Sequence, residues 1–388
     1  MAIQARNELV CAASARYVAS RKLEKGKILD EVCANSGLSR KHALRLLNKP
    51  PPTRIKQTRV RDRIYGELET IALRRIWPVS GYLSALRLVE AFADLFDSFE
   101  RHGEWAPEEG TRDRLLAMSA STCNRLLRPL RRARPDRGIS LTRAGQHLKA
   151  QIATRLGTDW DDAVPGFAEA DLVAHCGGSP EGAFLHTLTL TDVATGWTEL
   201  VGLKGKGQIE TVAGIGMAER RLPFKLLGLD TDNGSEFINY HLKAFCEERA
   251  LKFTRSRPYV KNDGCRVEQK NRALVRRHVG YRRLDTPEHL CSLKELYSVL
   301  RLLVNFFEPS AKLQRTRTEE GKTKKIYDKP QTPFRRVLES PNIDQEAKDR
   351  VTQIFLKLNP VLLRNRLRAL KRDLMEDELL RSFTEEED

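Results

Sequence analysis

The pattern of apolar and polar positions divides the chain into four stretches. In the first, 1–54, apolar residues recur at helical spacing over 6–22 and again over 28–35. Ser36-Gly37-Leu38 interrupts the pattern, and Ser39 is placed to cap a third helix running to residue 49. Two helices joined by a Gly-containing turn have the outline of a helix-turn-helix. Its second helix carries Arg40, Lys41, His42, Arg45 and Lys49, with Ala43, Leu44 and Leu47 expected on the packed side. A plain helical hairpin with a basic outer face would give the same pattern. Pro50-Pro51-Pro52 ends the unit as a stiff linker.

The second stretch, 58–150, also reads as helical, with Leu88, Phe92, Leu95, Phe96 and Phe99 spaced to face a core. A charged loop over 103–110 follows. A helix over 112–118, a break at Ser119 and a helix over 122–132 then repeat the helix-turn-helix outline. Arg125, Arg128, Arg131 and Arg132 make the last helix basic, and Pro129 within it is expected to kink or end it. Residues 134–138 read as a linker.

The third stretch, 151–285, mixes strands with helices. Strands are expected over 167–175, 184–191, 198–203, 224–231 and 252–255, the second and third forming a hairpin around 192–197. Helices are expected over 208–221, 240–249 and 266–279, which together imply a mixed sheet covered by helices. In the last stretch, 286–388, a helix through Leu302, Leu303 and Phe306 ends at Pro309. The very basic 315–329 is expected to be a loop, and helices return from 344 onward. The acidic tail beyond Glu376 is expected to be mobile.

Charge sharpens this picture. The 388 residues carry a formal net charge of +16, and such a basic balance implies a polyanionic partner, nucleic acid first. Residues 1–60 hold thirteen Lys or Arg against four Asp or Glu. No apolar run reaches the roughly 18 residues of a membrane span, and the N-terminus lacks a signal-peptide pattern, so a cytoplasmic, nucleoid-associated protein is expected. Seven scattered cysteines without a CxxC word fit reduced thiols, and His175-Cys176 is a weak metal-binding pair.

Three local words in the third stretch carry candidate chemistry. Glu169-Ala170-Asp171-Leu172-Val173 sets Asp171 within a strand. Leu229-Asp230-Thr231-Asp232-Asn233-Gly234-Ser235-Glu236-Phe237 ends an apolar strand at an acid and turns on Asn-Gly. Asn262-Asp263-Gly264-Cys265-Arg266-Val267-Glu268 opens a helix carrying Glu268. Thirty-five residues, 233–267, separate Asp232 from Glu268.

These words and their spacing resemble the DDE transposases of the retroviral-integrase-like superfamily, above all bacterial insertion-sequence transposases. The resemblance covers 165–285 and extends more weakly to Val304-Asn305-Phe306-Phe307-Glu308-Pro309 with Lys312-Leu313, and to Tyr327-Asp328 with Thr332-Pro333. It implies a multidomain protein: all-α helix-turn-helix units over 1–54 and 58–150, an α/β ribonuclease-H-like mixed-sheet core over 151–285, and a mainly helical C-terminal region over 286–388. It implies catalytic and metal-binding roles for Asp171, Asp232 and Glu268, with two Mg²⁺ or Mn²⁺ ions per site. Such hard cations suit carboxylates that would otherwise repel by about 4 kcal/mol at ~4 Å and an effective dielectric of about 20. Asn233 and Gly234 are expected to shape the turn that presents Asp232. Arg272 and Arg276, one and two turns beyond Glu268, are expected to hold DNA phosphates, beside Arg40, Lys41, Arg45, Arg125 and Arg128 of the helical units. Asp159, Asp161, Asp162, Asp192, Asp230 and Asp263 are expected to lie outside the site.

The expected partners are double-stranded DNA, as element ends and target, and further copies of the chain assembled on it. An accessory ATPase is left open. Two rival readings share these residues: a helix-turn-helix regulator that has lost catalysis, and a structure-specific nuclease on the same kind of sheet.

Overall fold

In the computed structural model, which describes residues 3–50, 64–132, 164–232, 234, 236–237, 239–255, 265–319 and 322–384, the N-terminal stretch folds as three helices: α1 (Ile3–Ala19), α2 (Lys22–Ser36) and α3 (Arg40–Asn48). Gly37 ends α2 in the left-handed region (φ 68°), its N–H bonded to Cys33 O, a conformation that glycine adopts without a Cβ penalty. Val10, Ala13, Tyr17, Ile28, Leu29, Val32, Ala43 and Leu47 form the core of this unit. Leu44, expected inside, is 40 % exposed, because α3 is short and buries only Ala43 and Leu47, four residues apart.

Residues 65–388 form the other packing unit. It begins with α4 (Glu67–Val79), α5 (Ala85–Arg101), α6 (Glu109–Leu116) and α7 (Ala120–Arg132). Leu88, Phe92, Leu95, Phe96 and Phe99 are all buried, as their spacing along α5 requires. Helix α7 continues through Pro129 rather than ending there. The linker expected over 134–138 lies outside the described residues.

A mixed sheet follows, built from β1 (Phe167–Ala174), β2 (His186–Asp192), β3 (Thr198–Leu203), β4 (Gly228–Thr231) and β5 (Lys252–Arg255), in the order β3-β2-β1-β4-β5. β1, β2 and β3 are antiparallel neighbours, while β1, β4 and β5 run parallel. Helices α8 (Gln208–Glu219) and α9 (Tyr240–Glu248) supply the parallel crossovers. Strand alternation assigns the two faces of β1 different tasks. Ala168 and Ala170 pack with Ile215, Ala218, Leu242 and Phe245 on the side of α8 and α9. Val173, on the face shared by Glu169 and Asp171, joins a second core. That core contains Leu274 and Val275 of a π-helical segment (Asn271–Arg276) that continues α10 (Cys265–Lys270).

The same core runs on through α11 (Pro287–Phe307) to the helices of 65–132, so segments expected as separate domains share one apolar interior. The polar residues of the word Val304-Asn305-Phe306-Phe307-Glu308-Pro309 are architectural. Asn305 donates to Thr198 O and accepts from Thr198 N, both at 2.9 Å, pairing an amide side chain with the outer edge of β3. Glu308 forms a buried ion pair with Arg364, at 3.0 Å, in the final helix.

The basic 315–329 is not a loop. β6 (Leu313–Glu319) and β7 (Lys322–Tyr327) form a two-stranded antiparallel ribbon separate from the main sheet. Threonines alternate with charged residues there, a period of two that the charge density obscures. Helices α12 (Pro333–Glu339), α13 (Gln345–Lys357) and α14 (Pro360–Thr384) complete the unit; α14 carries the start of the acidic tail as helix. No helix among the described residues is long and apolar enough to cross a membrane.

Candidate active site

Backbone register alone brings two of the acids together. The parallel ladder between β1 and β4 ends with Ala170 opposite Thr231, so the next position sets Asp171 beside Asp232. Neighbouring strands lie about 4.8 Å apart, and both residues fall on the face turned toward α10. The carboxyl ends of parallel strands are the usual place for a site in an open α/β sheet. Glu268 enters from α10, which packs on β1 and β2.

Two residues that sequence reasoning did not assign hold this arrangement. Glu169, 1 % exposed on β1, accepts a hydrogen bond from Val267 N at 3.1 Å, so a buried carboxylate holds the first turn of the Glu268 helix. Asn271, 8 % exposed, donates from Nδ2 to Asp171 Oδ2 at 2.6 Å. Asp171 Oδ1 accepts from Leu172 N at 2.8 Å. The sequence places Asn271 three residues after Glu268 on one helix face, but it carries no sign of the pairing with Asp171. Gly234 N donates to Asp232 Oδ1 at 3.0 Å, so the turn orients the acid through its backbone. A Cβ on Gly234 would press on the Glu236 carboxylate, 2.6 Å from its position, and that flexible side chain would have to swing away. Asn233 lies outside the described residues, as do Asp159, Asp161, Asp162 and Asp263.

The electrostatics show three acids that feel one another. Burial first, and then the charges of Asp232 and Glu268, push Asp171 up to about 7, against the hydrogen bonds from Leu172 and Asn271. Asp232 is also raised, by desolvation and then by Glu236 and Glu268, while Gly234 N–H opposes the shift. A cation would remove this conflict. The donor set fits a hard divalent ion: three carboxylates plus Asn271 Oδ1, which is buried without a hydrogen-bond partner among the described residues. In the present side-chain positions no three His, Cys, Asp or Glu among the described residues converge closely enough to hold an ion. The acids must draw together for that.

The expected outsiders have structural tasks. Asp192 is fully buried and accepts from Gly166 N at 2.8 Å and from Thr195 N and Oγ1 at 2.7 Å, closing the β2–β3 turn. Asp230 accepts from Thr254 Oγ1 at 2.7 Å and ties β4 to β5. His175, fully buried, bonds through Nε2 to Thr187 Oγ1 at 2.7 Å rather than pairing with Cys176.

The basic residues divide into two groups. Arg40, Lys41 and Arg45 are exposed on α3, with Arg40 ion-paired to Asp30, and Arg125 and Arg128 are exposed on α7. Arg272 is exposed beyond Glu268. Arg276 departs from the expected phosphate-facing stripe. Its guanidinium donates to Ala174 O at 3.1 Å and Gly280 O at 3.3 Å and lies over the Tyr281 ring. The π winding between the two arginines shifts the phase that an α-helix would have kept.

A sheet with two antiparallel and two parallel pairings, acids at adjacent parallel strand ends and a third acid on a covering helix together define an α/β protein with a carboxylate-centred candidate site. No family model matches the sequence. The chain is 40 % identical over 335 residues to the "Uncharacterized protein y4rM" of Sinorhizobium fredii (strain NBRC 101917 / NGR234), covering 85 % of this chain and 94 % of that one, and it belongs to the same family. Similar solved structures include the HTLV-2 integrase catalytic core domain in complex with magnesium, at 16 % identity and TM-score 0.29, covering 42 % of this chain and 96 % of that one. The catalytic core domain of BIV integrase matches at 17 % identity and TM-score 0.30, covering 45 % and 95 %.

Proposed function

We propose that this protein is a DDE-type DNA transposase or integrase, with a ribonuclease-H-like core that cleaves element ends and joins them to target DNA. The observation that carries the reading is the electrostatic coupling of Asp171 and Asp232, at adjacent parallel strand ends, with each other or with Glu268 on the covering helix. Their order and spacing along the chain, and the +16 charge, support the same reading.

Asp171, Asp232 and Glu268 would hold two Mg²⁺ or Mn²⁺ ions, which when bound activate a water or DNA 3′-hydroxyl and stabilise the leaving 3′ oxygen. The protein's own residues arrange that site. Asn271 orients Asp171, the Gly234 N–H orients Asp232, and Glu169 fixes the helix that brings Glu268. Arg272 is suited to a phosphate of the DNA end beside Glu268. Arg40, Lys41, Arg45, Arg125 and Arg128 offer exposed cations for flanking duplex. Assembly of two ends implies more than one copy of the chain on DNA.

The test is a strand-transfer assay with Mg²⁺ on wild type and Asp232→Asn. Metal-dependent cleavage and joining by wild type, both lost in the variant, are expected. DNA binding without cleavage would identify a regulator, and cleavage without joining a nuclease.

A further inference from the structure

We infer that the β6–β7 ribbon is a DNA-docking arm that grips duplex beside the reacting phosphate, an inference that rests on the function proposed above. Three observations meet in it. The first is composition. The strands of the ribbon carry Arg315, Arg317, Lys322, Lys324 and Lys325 against Glu319. The ladder pairs Arg317 with Lys324 and Glu319 with Lys322, so the register positions of Arg317, Lys322 and Lys324 share one face with a single acid. Apart from Ile326 the strands between their feet hold no large apolar residue. A two-stranded ribbon lacking an apolar face has little to bury against its own protein, and hairpins of this kind are marginal alone.

The second observation is the foot, which is built rather than loose. Lys312 N donates to Asp328 Oδ1 at 2.5 Å, and Asp328 N returns a bond to Lys312 O at 2.9 Å. Arg336, 8 % exposed, holds Asp328 Oδ2 at 2.8 Å and Ser310 O at 2.7 Å. A bridge between Ser310 and Gln331 closes the base below. The polar strands therefore rise from a locked, ion-paired root. Lys on edge strands also discourages edge-to-edge aggregation, but that role does not require an Arg336–Asp328 clamp beneath them.

The third observation is location. Lys312 Nζ reaches Ala194 O, and Lys270 Nζ, two residues after Glu268, lies 3.4 Å from Gly196 O. The β2–β3 turn thus touches both the ribbon's foot and the helix bearing Glu268. That turn adjoins the start of β1, where Asp192 pairs with Ala168, three residues before Asp171. At about 3.3 Å per strand residue, the foot stands on the order of 10–15 Å from the carboxylates, about three to five base pairs along a duplex. A two-stranded ribbon is also a shape that the major groove of B-DNA admits.

The test compares full-length wild type, a Lys322→Ala/Lys324→Ala/Lys325→Ala variant and a Lys329→Ala control. Lys329 neighbours the ribbon but already pairs with Glu90 at 2.8 Å. Affinity for a duplex carrying the element end is measured across a salt series. The triple variant is expected to flatten the slope of log affinity against log salt by about 2 to 3, close to 0.9 for each phosphate no longer neutralised. The control should match wild type. Circular dichroism and thermal melting check that the triple variant remains folded. A second variant, Arg315→Ala/Arg317→Ala, should flatten the slope in the same sense from the opposite strand. Wild-type slopes in both ribbon variants would overturn the arm while leaving metal-dependent cleavage, and so the proposed function, standing. Absence of cleavage in wild type would instead fail the function itself. A change confined to single-stranded substrates would also overturn the proposal as stated.

Discussion

Asp171 is subject to opposing demands. Burial and the charges of Asp232 and Glu268 favour its neutral form, while Asn271 and the Leu172 N–H favour the carboxylate. Asn271 is therefore a positioning residue, acting on the site through Asp171. Replacing it by Ala leaves Asp171 free to rotate and to take up a proton. Partners that orient ligands in this way typically matter about 10–100-fold in metal affinity or activity. On the function proposed above, the Asn271→Ala variant should need a higher Mg²⁺ concentration for half-maximal cleavage and show a pH–rate profile shifted upward, with its melting temperature little changed. An unshifted metal dependence and pH profile would remove Asn271 from this role. Asp171, Asp232 and Glu268 stand out as candidates in the sequence because each sits in a local word whose backbone consequence is local: a strand interior, a strand end before a turn, a helix start. Asn271 and Glu169 do not, since their partners lie 100 and 98 residues away and no local pattern marks such a pairing.

The elements tell a similar story with different physics. Strand and helix positions in 167–279 followed from periodicity, whereas the β6–β7 ribbon did not, because charged residues hide its alternation. The π segment was also invisible: α and π winding share the same composition, and the difference reached only the phase of Arg276. Buried polar pairings between elements now become testable. Glu199, fully buried on β3, accepts from Trp197 Nε1 at 2.9 Å and forms a two-point ion pair with Arg301 of α11, at 2.5 and 2.7 Å. Removing Arg301 leaves a buried carboxylate uncompensated, for which about 3–5 kcal/mol is typical. Arg301→Ala should lose stability on that scale by urea unfolding at neutral pH, and Glu199→Gln/Arg301→Met should recover part of it. A single-variant loss under ~1 kcal/mol would show that the pair is not what fastens α11 to the sheet.

His175 fastens the sheet's middle to α11 through Thr187, whose Oγ1 lies 2.6 Å from Tyr297 Oη. Burial, then Arg276 and His186, push its imidazole down to about 3 from an unfolded value of about 6.5. With the folded value depressed, the unfolded chain binds the extra proton between these limits. The neutral ring's contribution is complete above about pH 6.5 and is lost progressively as the pH falls toward about 3. His175→Gln, which cannot take up that proton, should therefore lose less stability than wild type between about pH 6.5 and about pH 4.5. The gap should be about 2 kcal/mol by denaturant titration at each pH, and parallel curves for the two proteins would refute the assignment.

At the scale of the whole molecule, charge and packing divide the chain at nearly the same place. Residues 1–64 close their own small core, and 65–388 contain the sheet, the acids and the remaining helices. The first sixty residues nevertheless carry thirteen cations against four acids, a net +9 of the chain's net +16. If the proposed function holds, the N-terminal unit supplies much of the electrostatic attraction to DNA and 65–388 supplies the chemistry. Affinity through phosphates is strongly salt-dependent, whereas chemistry on an already bound duplex is not. A 65–388 protein should therefore bind element-end DNA with a shallower salt dependence than the full chain. It should still cleave in Mg²⁺ when DNA is supplied at high concentration and low salt. The comparison is made by measuring affinity and cleavage across one salt series for both proteins. Equal slopes would mean that the basic N-terminal helices face away from DNA. Loss of cleavage by folded 65–388 at saturating DNA would mean that the first unit helps to build the active assembly rather than only delivering it to its substrate.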